Sequence, residues 1–286
     1  MQRRKDARME KADRIEVRER LLDRLSHKTP LIMGILNVTP DSFSDGGQHD
    51  SLATALTHAA EIAQYGADIL DIGGESTRPG GQAVSLEEEW ARVAEPIARL
   101  ATKDALPVSI DTYKAEIARR ATKAGAVIIN DVWGMTRDKA MADAVAETES
   151  LVCITYNRGE ADAGIDLRQD MTDFFGRAFD MAAQAGIPRE HILLDPGVGF
   201  GKTYEQNFGV LAHLDALVET GCPVLVGVSR KSFIGRLTGK PVEDRLIGTL
   251  AANLDSVQRG AAILRVHDVA EHREALDMIQ SIGSAR

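Results

Sequence analysis

Eight short apolar runs, each followed by a polar loop and then by a stretch with helical periodicity, constrain this chain more than any other feature. The runs are Leu31–Leu36, Ile69–Ile72, Val108–Ile110, Val127–Ile129, Leu151–Ile154, Ile192–Leu194, Val224–Val226 and Ile263–Val266. Apolar runs this short, bounded by turn residues, read as buried strands. The stretches between them carry helix punctuation. Leu52, Ala55, Leu56, Ala59, Ile62 and Ala63 share one face over Ser51–Tyr65, and Gly66 ends it. Ser85 with Glu88 is a capping-box pattern that opens a helix bearing Val93, Ile97 and Leu100. Further helices are expected over 114–124, 139–147, 170–185, 205–219 and 242–259, with a last one running through Ile282. Strands that alternate with helices lie parallel, because each crossover returns the chain to the same end of the sheet. Eight of them in 286 residues predict an α/β protein of one domain, a (β/α)8 TIM-type barrel over residues 31–286. Residues 1–30 are densely charged, with a weak stripe of Ile15, Val17, Leu21, Leu22 and Leu25. They are expected to form an N-terminal extension whose helix packs on the outside.

The formal net charge of −9 argues against nucleic acid as a partner, since phosphate binding calls for a basic surface. No apolar stretch approaches the roughly 20 residues that span a bilayer, and no apolar signal region follows the charged N-terminus. The two cysteines, Cys153 and Cys222, sit in apolar runs without disulfide or metal spacing, as in a reducing, cytoplasmic setting.

In a barrel of this kind chemistry sits at the C-terminal ends of the strands. Those ends carry Asn37, Asp71 with Glu75, Asp111, Asn130 with Asp131, Asn157, Asp195, Ser229-Arg230-Lys231, and Arg265 with His267. A single Asp there is more often a helix cap than a ligand. Polar groups at every strand end, two of them cationic clusters, favour a polar small-molecule site instead. Asp111, Asn130, Asp195 and Lys231 can meet a flat heterocycle with donor and acceptor edges, since a carboxylate accepts two parallel N–H bonds from an amino-pyrimidinone edge. Arg265 and His267, two apart on a strand, share a face and with Asn37 can hold a phosphate or diphosphate bridged by a divalent cation. The run Pro196–Thr203 ends like a nucleotide-binding loop but has proline where that loop needs glycine. The alternating glycines at 197, 199 and 201 suit a tight turn near the ligand. Isolated histidines such as His27, His49, His58, His191 and His213 read as surface or packing residues.

The motifs NVTPDSFSDGG (37–47), GGESTRPG (73–80), SIDT (109–112), IND (129–131), DPGVGFGKT (195–203), VGVSRKSFIG (226–235) and RVHDV (265–269) together resemble the bacterial dihydropteroate synthase family. The resemblance implies a (β/α)8 barrel that joins 6-hydroxymethyl-7,8-dihydropterin diphosphate to 4-aminobenzoate, with Mg2+, in folate synthesis. The family is a sulfonamide target and commonly a homodimer through its late helices. Carried over by motif, Asp111, Asn130, Asp195 and Lys231 match pterin-binding positions, Asn37 the Mg2+ ligand, and Arg265 and His267 the diphosphate anchors. Phe43, Thr77, Pro79, Phe200 and Ser232 match the surroundings of the aminobenzoate. Asp45 and Arg78 lie in two loops that close over the diphosphate and, with Lys231 and Asp111, are expected to serve catalysis. On this reading Arg265→Ala should weaken pterin diphosphate binding more than pterin binding. One departure stands out: where the family has a Met-His pair after strand five, this chain has Thr155-Tyr156, which is expected to loosen the pterin wall or admit water. Two alternatives stay open, a methyltetrahydrofolate-binding methyltransferase-type barrel and a catalytically idle pterin-binding paralogue.

Overall fold

The computed structural model describes residues 9–27, 29–38, 48–76 and 83–285. Among these, eight strands occur where the apolar runs place them: β1 (Leu31–Asn37), β2 (Ile69–Gly73), β3 (Val108–Asp111), β4 (Ile128–Asp131), β5 (Leu151–Thr155), β6 (Ile192–Asp195), β7 (Leu225–Val226) and β8 (Ile263–Val266). They form one parallel sheet in the order β6-β5-β4-β3-β2-β1-β8-β7. A parallel bridge between Leu194 and Val224 joins the two ends and closes the ring. The barrel expectation therefore holds. Most strands continue past the apolar run to take in a polar residue, so Asn37, Asp111, Asp195 and Thr155 are built into the ladder rather than into loops.

Side chains alternate along each strand. One set, including Ile32, Leu70, Ile110, Ile129, Val152, Leu194 and Leu264, packs outward against the helices. The other set, Leu31, Met33, Ile69, Ile128, Leu151, Cys153, Leu193, Leu225 and Ile263, fills the lower barrel interior as a separate cluster. Continued upward, the inward set becomes polar at Asp71, Ser109, Asp111, Asn130, Thr155, Asp195 and Arg265. An apolar floor and a polar upper layer share the same strands.

The helices are α1 (Lys11–Ser26), α2 (Gln48–Gln64), α3 (Leu86–Leu100), α4 (Ala115–Ala124), α5 (Met141–Thr148), α6 (Leu167–Ala185), α7 (Tyr204–Ala212), α8 (Asp215–Val218), α9 (Ser232–Thr238), α10 (Leu246–Gln258) and α11 (Val269–Ser284). Two depart from expectation. The single helix expected over 205–219 is split at His213; α8 is turned toward α6, where Asp215 pairs with Arg168. The unforeseen α9 contains Gly235 in its interior. There a β-carbon would meet the Arg245 guanidinium at 2.3 Å, so the glycine serves a close approach within the helix.

The largest correction concerns α1. Val17 and Leu21 are buried in the cluster that fills the lower barrel, so the helix plugs the N-terminal mouth and does not lie on the outside. Its arginines grip the segments that lead into the strands. Arg14 bonds Ser150 Oγ at 3.3 Å and the Thr148 carbonyl, and Arg18 bonds the Glu149 carbonyl at 2.5 Å, all just before β5. Arg20 reaches the Lys103 carbonyl before β3, and Arg24 pairs with Asp68 before β2. No helix among the described residues is long and apolar enough to cross a membrane.

Candidate active site

The upper interior is organised by Arg265 on β8. Its Nε donates to Asp71 Oδ2 at 2.6 Å and its Nη2 to Asp111 Oδ2 at 2.7 Å. Asn130 Nδ2 donates to the same Asp71 oxygen at 3.2 Å. The sequence brings Asp111 and Asn130 forward, and the structure sets them side by side, paired in register across β3 and β4. Asp71 is a strand-end residue to which the sequence assigns no ligand; here it is fully buried and anchors the cation. No motif marks it, because its partner Arg265 lies 194 residues away.

This differs from an Arg265 aimed wholly at a diphosphate. Two of its three nitrogens are committed to carboxylates, and among the described residues Nη1 has no hydrogen-bond acceptor. His267, the expected companion, sits higher, its backbone N–H and Nδ1 both on Ser229 Oγ at 3.2 and 3.0 Å. With Asn37 it lines a cleft of about 370 Å3 whose far wall is Thr54, Thr57, His58 and Glu61 of α2. His58 is thus a wall residue of that cleft. Asn37 Oδ1 and Asp111 Oδ2 stand 3.7 and 3.8 Å from the place a Gly73 β-carbon would take. The cleft and the buried carboxylate therefore open on common space.

On the opposite side, Asp195 closes β6, and its Oδ1 accepts the Gly197 N–H of the following turn at 2.7 Å. Lys231, the N-cap of α9, donates to the Val198 carbonyl and lies 4.6 Å from the Phe200 ring centroid. Ser232 follows as the first residue of α9, exposed. Arg230 before it takes a left-handed backbone, φ 57°, a conformation costly for a residue with a side chain. It is held there by Asp268 at 3.0 Å through Nε, by Thr249 Oγ1 on its N–H at 3.1 Å, and by Arg245 on its carbonyl at 2.9 Å. Asp45, Phe43, Thr77, Arg78 and Pro79 lie outside the described residues.

Several other strand-end groups are structural. Asp131 accepts the N–H groups of Trp133 and Met135 at 2.8 and 2.7 Å, closing a turn. Glu75 and Glu89 share the Lys114 ammonium at 2.6 and 2.5 Å. Asn157 bridges the Val132 carbonyl and the Gly159 N–H. Thr155 and Tyr156 leave the end of β5 regular. The β5 ladder is intact, Thr155 pairs in register with Asp195, and Tyr156 is buried outward with its hydroxyl on Asp170 at 2.5 Å.

What the interior offers a ligand lies in buried polar atoms that have no hydrogen-bond partner among the described residues, Asp71 Oδ1, Asp111 Oδ1, Ser109 Oγ and Thr155 Oγ1. Native interiors leave few such atoms. Burial pushes the Asp111 carboxyl up to about 7, against the pull of Arg265, and raises Asp195 as well. Burial pushes the Lys231 amine down to about 8, against Asp195. Burial also works against the charge on Arg265, but Asp71 and Asp111 outweigh it and hold the guanidinium ionised.

A carboxyl raised by burial binds its proton more tightly in the fold than in the unfolded chain. Its contribution to stability is therefore greatest below the unfolded value near 4 and declines as pH rises toward about 7. Asp111→Asn is expected to flatten that decline in urea unfolding measured from about pH 5 to about pH 8. A variant with the wild-type slope would show that Asp111 ionises freely.

The family model described as pterin binding enzyme matches residues 33–267. The dihydropteroate synthase of Bacillus subtilis is 47% identical over 259 residues, covering 90% of each chain. The solved Xanthomonas albilineans dihydropteroate synthase with 4-aminobenzoic acid is similar at TM-score 0.85 and 48% identity, over 89% of this chain and 93% of that one. A structure of that enzyme in complex with 7,8-dihydropteroate gives TM-score 0.81 at 45% identity, over 89% and 94%. The chain belongs to the pterin binding enzyme family.

Proposed function

We propose that this chain is a dihydropteroate synthase. It condenses 6-hydroxymethyl-7,8-dihydropterin diphosphate with 4-aminobenzoate to give 7,8-dihydropteroate and diphosphate. The observation that carries the reading is the buried Asp71–Arg265–Asp111 array beside Asn130, open toward both the Asn37–His267 cleft and the Lys231–Phe200 wall. A flat heterocycle with several N–H donors suits unpaired carboxylate oxygens in a desolvated pocket. Asp111 and Asn130 hold its amino-pyrimidinone edge, and Asp195 and Lys231 flank it. The methylene diphosphate then points at the cleft, where His267, Asn37 and the guanidinium of Arg265 receive it. Phe200 and Ser232 border the arylamine. Asp45, Phe43, Thr77, Arg78 and Pro79 complete the proposed diphosphate and aminobenzoate sites from their loops.

The reaction is ionisation at the pterin CH2–O bond followed by capture of the cation by the amine. Asp111 and Asp195 favour positive charge on the pterin, while His267 and Arg265 favour the leaving diphosphate. Arylamine nitrogen attacks without needing a strong base, since it is already neutral. Among the described residues no cluster of three or more His, Cys, Asp or Glu can hold a metal. Asn37, through its amide oxygen, nonetheless suits Mg2+, a cation that needs few protein ligands, and would hold it beside the substrate phosphates. Bound there, the ion would supply charge neutralisation on the leaving group. Exposed Leu237, Val242 and Ile247 near α9 and α10 suit a homodimer, and two free buried cysteines suit a cytoplasmic protein.

The test is purified protein with pterin diphosphate, Mg2+ and 4-aminobenzoate. Equal amounts of dihydropteroate and diphosphate are expected. Pterin binding without product would replace this reading with that of an idle pterin-binding paralogue, and methyl transfer from methyltetrahydrofolate with that of the methyltransferase-type barrel.

A further inference from the structure

Lys202 takes no part in the reaction set out above, yet it is held more completely than Lys231. Its ammonium donates to the carbonyl oxygens of Tyr156 at 2.7 Å and of Phe200 at 2.9 Å. It also lies 4.0 Å from the centroid of the Tyr156 ring. Burial pushes the amine down to about 7, and Asp195 pulls the other way. An ammonium withdrawn from water is costly unless it is hydrogen-bonded. Here its acceptors are two backbone carbonyls, one at the end of β5 and one on the turn that follows β6.

At its base the turn is joined to β5 by the Tyr156 N–H on the Asp195 carbonyl at 2.9 Å, and Lys202 adds the side-chain tie. Gly197, Gly199 and Gly201 all adopt left-handed backbone, φ 67°, 85° and 60°, and bring no side chain to the contact. A β-carbon at Gly197 would stand 2.0 Å from the Tyr156 carbonyl oxygen, the same atom that Lys202 engages. On the α7 side the turn is tied by Asn207, whose Oδ1 accepts the Gly199 N–H at 2.6 Å. The turn in turn seats Lys231, through the Val198 carbonyl and the Phe200 ring.

We propose that Lys202 is a positioning residue that fastens the glycine turn to the end of β5, so that Val198 and Phe200 present a fixed seat to Lys231. The inference rests on the synthase reading, in which Phe200 borders the aminobenzoate. It also gives the Thr155-Tyr156 departure a use, because the tyrosine ring forms the platform beneath the ammonium. A loosened turn displaces Phe200 first, so the second substrate feels the loss more than the pterin does.

The test compares Lys202→Met and Lys202→Arg in the full chain. For Lys202→Met, KM for 4-aminobenzoate is expected to rise about tenfold or more while kcat falls by about threefold or less. Lys202→Arg, which keeps donors and positive charge, is expected to recover most of that KM. An unchanged KM, or an equal loss for both substrates that arginine does not repair, overturns the proposal. If the methionine variant does not fold, Lys202→Gln is measured instead, with the same split expected and its absence equally decisive. Hydrogen exchange across 196–203 supplies a readout without turnover: about tenfold faster exchange in Lys202→Met, with β8 unchanged, is expected, and unaltered exchange overturns the latch. Wild-type protein that makes no dihydropteroate refutes the synthase reading, and the exchange measurement still decides the role of Lys202.

Discussion

Replacing Arg265 by alanine is expected to weaken the fold and the pterin site together. The guanidinium stands between two buried carboxylates, with its Nε on Asp71 and its Nη2 on Asp111. Removing one partner of a buried charge network leaves the others unpaired, at a cost of about 3–5 kcal/mol. For a chain of this size that corresponds to a fall in Tm of roughly 10 °C. Asp111 would also lose the charge that opposes its upward shift, so it would hold its proton at higher pH and accept fewer hydrogen bonds from a pterin. The affinities for pterin and for pterin diphosphate are therefore both expected to drop, by calorimetry or fluorescence. The sequence motif alone predicted a selective loss of diphosphate binding; the pairing with Asp111 removes the ground for that selectivity. Adding Asp71→Asn to Arg265→Ala is expected to restore part of the lost stability, since one uncompensated charge goes. Pterin affinity that survives Arg265→Ala intact would return the residue to a diphosphate role alone.

Removal of residues 1–27 is expected to leave a barrel that does not hold its native packing. Val17 and Leu21 belong to the same apolar cluster as residues of seven strands, β1, β2, β4, β5, β6, β7 and β8, and without them that cluster opens to water at the N-terminal mouth. A milder form of the experiment is Leu21→Ala in the full chain, with an expected loss of about 2–5 kcal/mol in urea unfolding for a buried leucine cut back to alanine. Pterin binding at the far end of the strands should change little in the variant that still folds. A loss below about 0.5 kcal/mol, the ordinary range for surface positions, would show that α1 lies on the barrel without filling it.

The strands were legible because each is a short apolar run between turn residues, and the alternation with helices dictates a parallel sheet. The meeting of Asp111 with Asn130 was legible for a related reason, since strand ends in such a barrel converge by construction. Asp71 was not, although it is also a strand-end carboxylate. Nothing local separates a carboxylate that meets Arg265 from one that caps a turn, as Asp131 does, or from Glu75, which shares Lys114 with Glu89. Lys202 was passed over because its run fails the nucleotide-loop spacing, and nothing local shows that its acceptors are carbonyls of Tyr156 and Phe200. Helix α1 was misplaced because its apolar stripe is short and its arginines look solvated. Only the strand entrances show what those arginines bind.

By itself the sequence determined the order of the strands, the parallel barrel and which end of it is polar, because hydrophobic periodicity and turn chemistry act over a few residues at a time. Its motifs also determined the family. The tertiary structure decided which polar groups face one another: that Arg265 sits between Asp71 and Asp111, that Lys202 binds the turn to β5, and that α1 closes the floor. Those pairings join residues far apart in the chain, and their strength depends on burial, which exists only once the barrel has closed.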